Sequence, residues 1–320
     1  MHFKSHFDGR LILNCGGGLG NQLFEYAAGL YFAAQLNRQL EVVQPLPQHA
    51  QWNGYSRPFQ LSQFAIRSKI RGTEFLDRLF FSSNPRLRPL RFLLGQPLQA
   101  ELIEEPAIYR FHTNLSDKAN KKNIYMSGSW QAANYALVVE PALREEYQFK
   151  SPPQGRNQTY LNQIDQLKCP ISIHLRIGDY ALIHHSVGSG TAPVSMILRE
   201  SYYAKAINLV TEFFPEHTLV VFSDDQQAAR DILPKNKEYL FIEGNDAMSA
   251  HEDLRLMSHC RHHIIANSSF SWWGAWLNPD RNKKVFAPQY WANTRNSYFP
   301  DLYPAGWTII DNSNPLENIN

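Results

Sequence analysis

The chain has 320 residues, 43% of them apolar and 13% aromatic, and its formal net charge is +2. This length supports a large buried core and predicts two domains. The small net charge and the lack of a Lys- and Arg-rich arm exclude a typical nucleic-acid-binding protein, and three widely spaced cysteines argue against a disulfide framework or a zinc knuckle.

The first predicted elements are a strand, a Gly-rich turn and a helix. Residues 10–15 predict the strand, residues 23–34 the helix, and four glycines lie between them. This order opens a Rossmann-like domain, in which backbone N–H groups approach an anion at the start of a helix. Asn21 replaces the last glycine of a dinucleotide fingerprint, and no Gly-Lys-Ser/Thr follows, so a P-loop is excluded. A turn needed only for packing is the alternative, but four glycines are costly in chain entropy and favour a ligand.

Residues 67–91 combine seven basic residues with interleaved aromatic and aliphatic residues. The commoner explanation of this pattern is a solvated basic face over an apolar core face. The alternative is a basic amphipathic surface that makes peripheral contact with an anionic membrane.

A strand is predicted over residues 123–128, and aromatic residues follow it. Trp130, Gln131 and Tyr135 are acceptor-binding candidates, because aromatic rings at a strand end can stack on a sugar. Core packing of the two rings is an equal alternative.

Residues 151–158 (SPPQGRNQ) are the clearest linker and predict a domain boundary. We expect an N-terminal Rossmann-like domain over 1–150, a C-terminal one over 159–300, and a tail over 301–320 that packs back.

The second half alternates strands and helices, and polar residues follow several of its strands. The central segment is Ile171–Tyr180, a buried strand that ends in a turn. Arg176 offers bidentate, permanently charged donors that suit a phosphate. Asp224 or Asp225 suits a guanine edge, although a helix cap is the commoner role for Asp224. Ser268, Ser269 and Ser271 offer hydroxyls at a helix start, so together these strand ends predict a nucleotide-diphosphate site between the two domains.

Four segments resemble signatures of the α-1,2-fucosyltransferases of glycosyltransferase family 11. They are residues 17–27 (GGLGNQLFEYA), 174–180 (HLRIGDY), 222–225 (FSDD) and 256–278. The motifs run in family order through most of the chain. Departures at Leu23, Glu25, Ser129 and Gln227 touch none of the expected phosphate residues.

This resemblance implies an α/β protein of the GT-B class, with two Rossmann-like domains facing a cleft. It implies transfer of L-fucose from GDP-β-L-fucose to the 2-hydroxyl of a terminal β-galactose, with inversion and without a metal or other cofactor. The donor-binding residues expected on this basis are Gly18, Leu19, Asn21, Gln22, His174, Arg176, Ser223, Asp224, Asn267, Ser268, Ser269 and Phe270. Arg176 is expected to stabilise the leaving GDP.

The catalytic base is harder to assign. Asp179 is the first candidate, followed by Glu25, His184 and His185, and the two histidines are also acceptor candidates in a loop over 181–197. Two alternatives to a fucosyltransferase stay open: a transferase for another GDP-sugar, and a non-catalytic sugar-nucleotide-binding protein.

The N-terminal residues lack the apolar core of a signal peptide, and no run approaches the length that spans a bilayer. The animal members of the family that the chain resembles are tethered to membranes, so this contrast implies a bacterial cytoplasmic protein, with residence at the inner face of the membrane as the alternative. The expected partners are GDP-fucose and a β-galactoside, with no nucleic acid.

Overall fold

The computed structural model describes residues 7–46, 51–52, 55–115, 120–181, 196–291 and 297–313. The chain divides into two compact units. Unit 1 comprises Met1–Lys150 with Asp301–Tyr303, and unit 2 comprises Ser151–Pro300 with Pro304–Asn320. His184 and His185 lie outside the described residues.

Unit 1 is built on a five-stranded parallel sheet. Its strands are β1 (Arg10–Asn14), β2 (Gln39–Gln44), β5 (Lys69–Gly72), β6 (Ala100–Glu104) and β7 (Asn123–Ser127), in the spatial order β5-β2-β1-β7-β6. Two-residue strands, β3 (Gln51–Trp52) and β4 (Tyr55–Ser56), form a separate antiparallel pair. The central strand β1 is an apolar run, and its Leu11, Ile12 and Leu13 are fully buried, as expected for a strand covered on both faces.

Five helices accompany this sheet among the residues that the structure describes. They are α1 (Leu19–Gln35), α2 (Phe75–Phe80), α3 (Arg88–Gly95), α4 (Ala133–Val138) and α5 (Glu140–Glu146). Helix α1 is buried along most of its length because its residues are largely Ala, Leu and aromatic. It packs against β1 and α4, and fixes the Gly-rich turn at its own start.

Unit 2 contains a six-stranded parallel sheet. Its strands are β8 (Pro170–Leu175), β9 (Thr218–Ser223), β10 (Tyr239–Phe241), β11 (His262–Ile264), β12 (Val285–Pro288) and β13 (Thr308–Ile310). Its helices are α6 (Arg156–Gln166), α7 (Glu200–Phe213), α8 (Gln226–Ile232), α9 (Ala250–His259) and α10 (Ser269–Leu277). The predicted α/β class with two Rossmann-like parallel sheets is confirmed.

The order of strands in unit 2 is β10-β9-β8-β11-β12-β13. The chain builds outward from β8 to β10, and then returns to the other side of β8 for β11 to β13. The order therefore reverses between β8 and β11, and open α/β sheets bind ligands beyond the carboxyl ends of their strands at such a point. All six residues of β8 are buried, and the strand lies between β9 and β11 in the sheet.

Strand β13 lies within residues 301–320, the segment for which the sequence predicts only a tail. Residues Thr308–Ile310 pair with β12, with Phe286 opposite Thr308 and Pro288 opposite Ile310. A three-residue edge strand carries too short an apolar pattern to be recognised without its partner.

No helix within the described ranges is both long enough and apolar enough to cross a membrane.

Candidate functional site

Arg176 lies just beyond the end of β8, between two carboxylates. Its Nη2 is 2.7 Å from Oδ1 of Asp179, and its Nη1 is 2.8 Å from Oδ2 of Asp224. The arginine side chain keeps 18% of its surface exposed. The two carboxylates fix the direction of the guanidinium, and part of the side chain still reaches solvent.

Asp224 joins the ends of two strands. Its Oδ1 accepts hydrogen bonds from the backbone N–H groups of Ile177, at 2.9 Å, and Gly178, at 3.3 Å. Strand β9 pairs with β8 in a register that sets Ser223 opposite Leu175, so Asp224 comes next to the turn that follows β8. The same carboxylate therefore shapes the loop and orients Arg176.

Tyr180 connects this loop to the next strand end. Its ring lies 5.6 Å from the guanidinium carbon of Arg176, within the range of a cation–π contact. Its hydroxyl donates a 2.9 Å hydrogen bond to the backbone oxygen of Asn267. Arg176 is thus contacted by three side chains, those of Asp179, Asp224 and Tyr180, and these residues link the ends of β8, β9 and β11.

His174 is buried in β8, two residues before Arg176. Burial and the nearby Arg176 charge lower the pKa of His174 to about 3, so its imidazole is neutral at physiological pH. The Nδ1 atom of His174 is buried, and it finds no hydrogen-bond partner among the described residues. The ring lies 5.6 Å from that of Phe270 on helix α10. An unpaired polar atom next to this strand end is a natural contact for a ligand.

Helix α10 starts at the same edge of the sheet. Ser268 caps it, since its hydroxyl accepts from the backbone N–H of Phe270 at 3.3 Å. A helix N-terminus favours an anion, because its first N–H groups lack partners within the helix. Ser269 and Phe270 are partly exposed in the first turn.

Asn267 has a structural role in this arrangement. Its side-chain amide is fully buried and donates to the backbone oxygens of Met196, at 2.9 Å, and Trp291, at 2.7 Å. Ser223 is partly exposed, and its hydroxyl accepts from the Asp225 backbone N–H at 3.1 Å. Asp225, rather than Asp224, caps helix α8 by accepting from Ala228.

The Gly-rich turn of unit 1 is held by Gln22. The Nε2 of this buried side chain donates to the backbone oxygens of Gly17, at 2.8 Å, and Pro58, at 2.9 Å. Its Oε1 accepts from the N–H groups of Gln60 and Leu61. Gly17 has φ +68°, a left-handed conformation that favours glycine. Because all four bonds go to backbone groups, Gln22 supports the turn, and the prediction that its side chain binds the donor is not supported by its position.

The other predicted residues of this turn differ in exposure. Leu19 is buried in the first turn of α1, whereas Gly18 and Asn21 are partly exposed. The side-chain oxygen of Asn21 accepts from Gln131 at 3.0 Å, which joins the turn to the segment after β7. Glu25 lies beneath the turn and accepts from the Gly16 N–H at 2.8 Å. Burial raises the pKa of Glu25 well above its ordinary value.

The prediction that Trp130 and Tyr135 bind the acceptor sugar is wrong. Both side chains are fully buried, and their rings pack with Phe32 in the core of unit 1. Neither presents a free face to a sugar, so core packing, the alternative explanation, holds for both.

Asp179 is also buried and contacts Arg176, which makes it a positioning residue and a poor candidate for a base that must reach a hydroxyl.

Comparison with known protein families shows which family the chain belongs to. The family model described as glycosyl transferase family 11 matches residues 100–311, about two thirds of the chain. The chain belongs to glycosyl transferase family 11.

Two individual proteins are similar to this chain over most of its length. The chain is 28% identical to an α-1,2-colitosyltransferase of Escherichia coli over 311 residues, which cover 94% of this chain and 99% of the relative. It is 29% identical to the O-antigen biosynthesis glycosyltransferase WbnK of Escherichia coli, over 88% of this chain and 94% of the relative. Among solved structures, the fucosyltransferase NodZ from Bradyrhizobium matches with a TM-score of 0.47 and 14% identity, over 85% of this chain and 93% of that one.

The family 11 match covers every predicted site residue of unit 2, and excludes the Gly-rich turn at residues 16–22. Sequence reasoning missed two residues within the matched range. Tyr180 ends one of the motifs, so the motif itself was the available signal. Glu105 accepts from the N–H groups of Ser129 and Trp130, at 2.7 and 3.0 Å, and no sequence pattern pointed to it.

Within the described ranges, no three His, Cys, Asp or Glu side chains group in a way that could hold a metal ion.

Proposed function

We propose that this family 11 glycosyltransferase transfers L-fucose from GDP-β-L-fucose to the 2-hydroxyl of a terminal β-galactose, with inversion, to give Fucα1-2Gal. The observation that carries the proposal is the placement of Arg176 at the point where strand order reverses, oriented by Asp179 and Asp224. The motif resemblance and the full-length similarity to an α-1,2-transferase support the linkage.

We assign the diphosphate of the donor to Arg176 and the start of α10. As the bond between fucose and phosphate breaks, negative charge accumulates on the β-phosphate oxygen. A guanidinium already oriented by two carboxylates stabilises that charge without reorganising, which is the efficient form of electrostatic catalysis. The N–H groups at the start of α10, around Ser268 and Ser269, supply further donors to phosphate.

His174 and Asp224 take different parts in this proposal. The low pKa of His174 keeps its ring neutral, so its unpaired Nδ1 forms a hydrogen bond with the donor without adding charge. Asp224 already accepts two backbone N–H groups and faces Arg176, so we assign it a positioning role in place of the predicted guanine contact. We assign Asp179 the same positioning role. We expect stabilisation of the fucosyl transition state to come mainly from stabilisation of the leaving GDP.

A second donor is favoured by one specific comparison. The relative that covers 94% of this chain is named an α-1,2-colitosyltransferase. Colitose is fucose without its 3-hydroxyl, so the two donors share the phosphate contacts and differ at one sugar position. A site that binds a hydroxyl discriminates strongly against an analogue that lacks it, because polar groups of the site are then left unpaired.

The proposal is tested by incubating the enzyme with GDP-fucose, GDP-colitose or GDP-mannose, with and without β-1,3- and β-1,4-linked galactosides. GDP release and the linkage of the product, determined by NMR, are measured. Acceptor-dependent release from GDP-fucose, abolished with the matching 2-deoxygalactoside, is the expected result. Faster transfer from GDP-colitose would replace the donor assignment, and binding of GDP-sugars without any transfer would show a non-catalytic protein.

A further inference from the structure

Helix α3 in unit 1 turns an apolar face outward. Phe92 and Leu93 are 75% and 68% exposed, and Pro89 and Leu90 are exposed beside them. At about 100° per residue these four side chains occupy roughly 160° of the helix surface, and no polar residue interrupts that arc. A helix on the surface of a globular domain normally shows the opposite orientation.

The inward face of α3 explains this orientation. Arg91 points back toward the protein, and its Nη1 donates to the backbone oxygens of Phe80, at 3.0 Å, and Ser82, at 3.1 Å. Gly95 allows a close approach to β6, since a Cβ at this position would lie 2.8 Å from the Ala100 oxygen. The charged residue and the glycine are therefore used for docking, and the large apolar residues are left outside.

Arg91 also ties α3 to the end of α2, whose first residue, Phe75, is 75% exposed. We define the α2–α3 surface by the exposed residues of this region: Phe75, Arg78, Arg86, Arg88, Pro89, Leu90, Phe92 and Leu93.

The arginines of the segment fall into two groups. Arg67 pairs with Glu145, and Arg71 pairs with Glu41 and Asp77, so their charges are compensated. Arg78, Arg86 and Arg88 are exposed, and their guanidinium groups make no hydrogen bond or ion pair with any described residue. The surface thus combines an apolar arc with three uncompensated positive charges.

The expectation of a solvated basic face over a core face is wrong for α3, because its aromatic and aliphatic side chains point outward.

We propose that the α2–α3 surface binds an anionic lipid bilayer. Exposed aromatic and aliphatic side chains enter the interface, while arginines beside them contact negatively charged headgroups. A second copy of the chain is a poorer occupant, because a symmetric contact places the same arginines of both copies together. The α2–α3 surface belongs to unit 1 alone, and its binding to a bilayer does not depend on the identity of the donor or acceptor.

The test is co-sedimentation of the full chain with vesicles. Binding is expected to vesicles of phosphatidylcholine mixed with phosphatidylglycerol, to weaken as sodium chloride is raised, and to be much weaker with phosphatidylcholine alone. Absence of sedimentation with the anionic vesicles, or equal sedimentation with both compositions, would overturn the proposal.

Two sets of substitutions separate the apolar and the charged contributions. The variant Phe92→Ser/Leu93→Ser is expected to lower the partition coefficient by about tenfold or more. Neutralising Arg78, Arg86 and Arg88 with Gln is expected to lower it by about fivefold for each charge. These side chains are exposed, so circular dichroism and the unfolding midpoint should stay as in the wild type.

Matched controls lie elsewhere on the chain. Ile108→Ser removes another exposed apolar residue of unit 1, and Met248→Ser one of unit 2, while Arg281→Gln removes an exposed charge. These variants should bind vesicles like the wild type. If the control and surface variants lost binding equally, the location would be wrong. If Phe92→Ser/Leu93→Ser instead converted a dimer to a monomer in analytical ultracentrifugation and left vesicle binding unchanged, the surface would be an interface between copies.

Discussion

The guanidinium of Arg176 lies 2.8 Å from the carboxylate of Asp224, and the other oxygen of that carboxylate holds the loop that follows β8. One side chain thus orients the proposed phosphate-binding arginine and shapes the backbone around it. Substitution of Arg176 is therefore expected to affect mainly kcat, whereas substitution of Asp224 is expected to affect both kcat and stability.

Replacing Arg176 with Ala is expected to lower kcat by about a hundredfold or more, because the charge on the leaving GDP loses its main stabilising donor. Arg176→Lys should recover little of this loss, since an ammonium group cannot contact Asp179 and Asp224 and also reach a phosphate as a planar fork does. Steady-state kinetics of GDP release measure the effect. Near-normal transfer by Arg176→Ala, with the fold intact by circular dichroism, would contradict the assignment.

Replacing Asp224 with Ala should reduce both stability and activity. The N–H groups of Ile177 and Gly178 lose their acceptor, which is expected to lower the free energy of unfolding by about 1–3 kcal/mol. Asp224→Asn keeps an oxygen for these groups and removes the charge, so it should be more stable than the alanine variant and still impaired in kcat. Urea unfolding and kinetics of the two variants measure these effects.

Asp225→Ala is the matched control for Asp224. It removes only the cap of α8, with an expected cost of about 1 kcal/mol in stability. Its kcat should stay close to that of the wild type. A larger loss of kcat in Asp225→Ala than in Asp224→Asn would reverse the assignment of roles.

Gln22→Ala is expected to act on the stability of unit 1. It leaves four backbone groups without their partner, in a part-buried environment, and should lower the free energy of unfolding by about 2–4 kcal/mol. Gln131→Ala, which removes a single side-chain hydrogen bond to Asn21, should cost about 1 kcal/mol. Denaturant unfolding compares the two variants. A stable Gln22→Ala protein with a raised KM for the donor would restore the donor-binding prediction.

His174 should make stability fall in mild acid. Its pKa is about 3 in the folded chain, below the ordinary 6.5, so as pH falls below 6.5 the unfolded chain takes up a proton that the folded chain refuses. This contribution is complete above pH 6.5 and is lost progressively down to about pH 3. Between about pH 7.5 and 5.5 the loss from this group is about 1.4 kcal/mol.

The His174 contribution is isolated by comparing slopes. The free energy of unfolding is measured at both pH values for the wild type and for His174→Gln, and the variant should lose less stability by that amount. Buried His262 and His263, whose pKa values burial also lowers, remain in both proteins and cancel from the difference. Equal losses in the two proteins would show that His174 is protonated as readily in the folded chain as in the unfolded one.

Removal of divalent metal should leave transfer unchanged. Arg176 and the start of α10 are proposed to supply the positive potential that a metal ion gives in other sugar-nucleotide enzymes. Initial rates are compared with EDTA and with added Mg²⁺, using metal-free acceptor and donor. A strict requirement for Mg²⁺ would show that these groups do not suffice.

The sequence by itself determined the parallel α/β class, most of the central strands and the motif residues of the strand ends. Those features are local, because apolar runs, glycines and short polar motifs lie within a few residues of one another. It also singled out Arg176, since an arginine in the turn after a buried strand is visible without any partner.

The roles of many polar residues were decided only by the tertiary structure. Gln22, Asp179 and Asp224 have the chemistry of ligand contacts, but their hydrogen bonds and ion pairs go to groups of the protein itself. Trp130 and Tyr135 lie in the core of unit 1, whereas Phe92 of α3 lies at the surface, although composition alone favours neither location. The physical reason is that burial and pairing depend on which side chains from distant segments meet, and strand order, which no short pattern contains, decides which segments are neighbours.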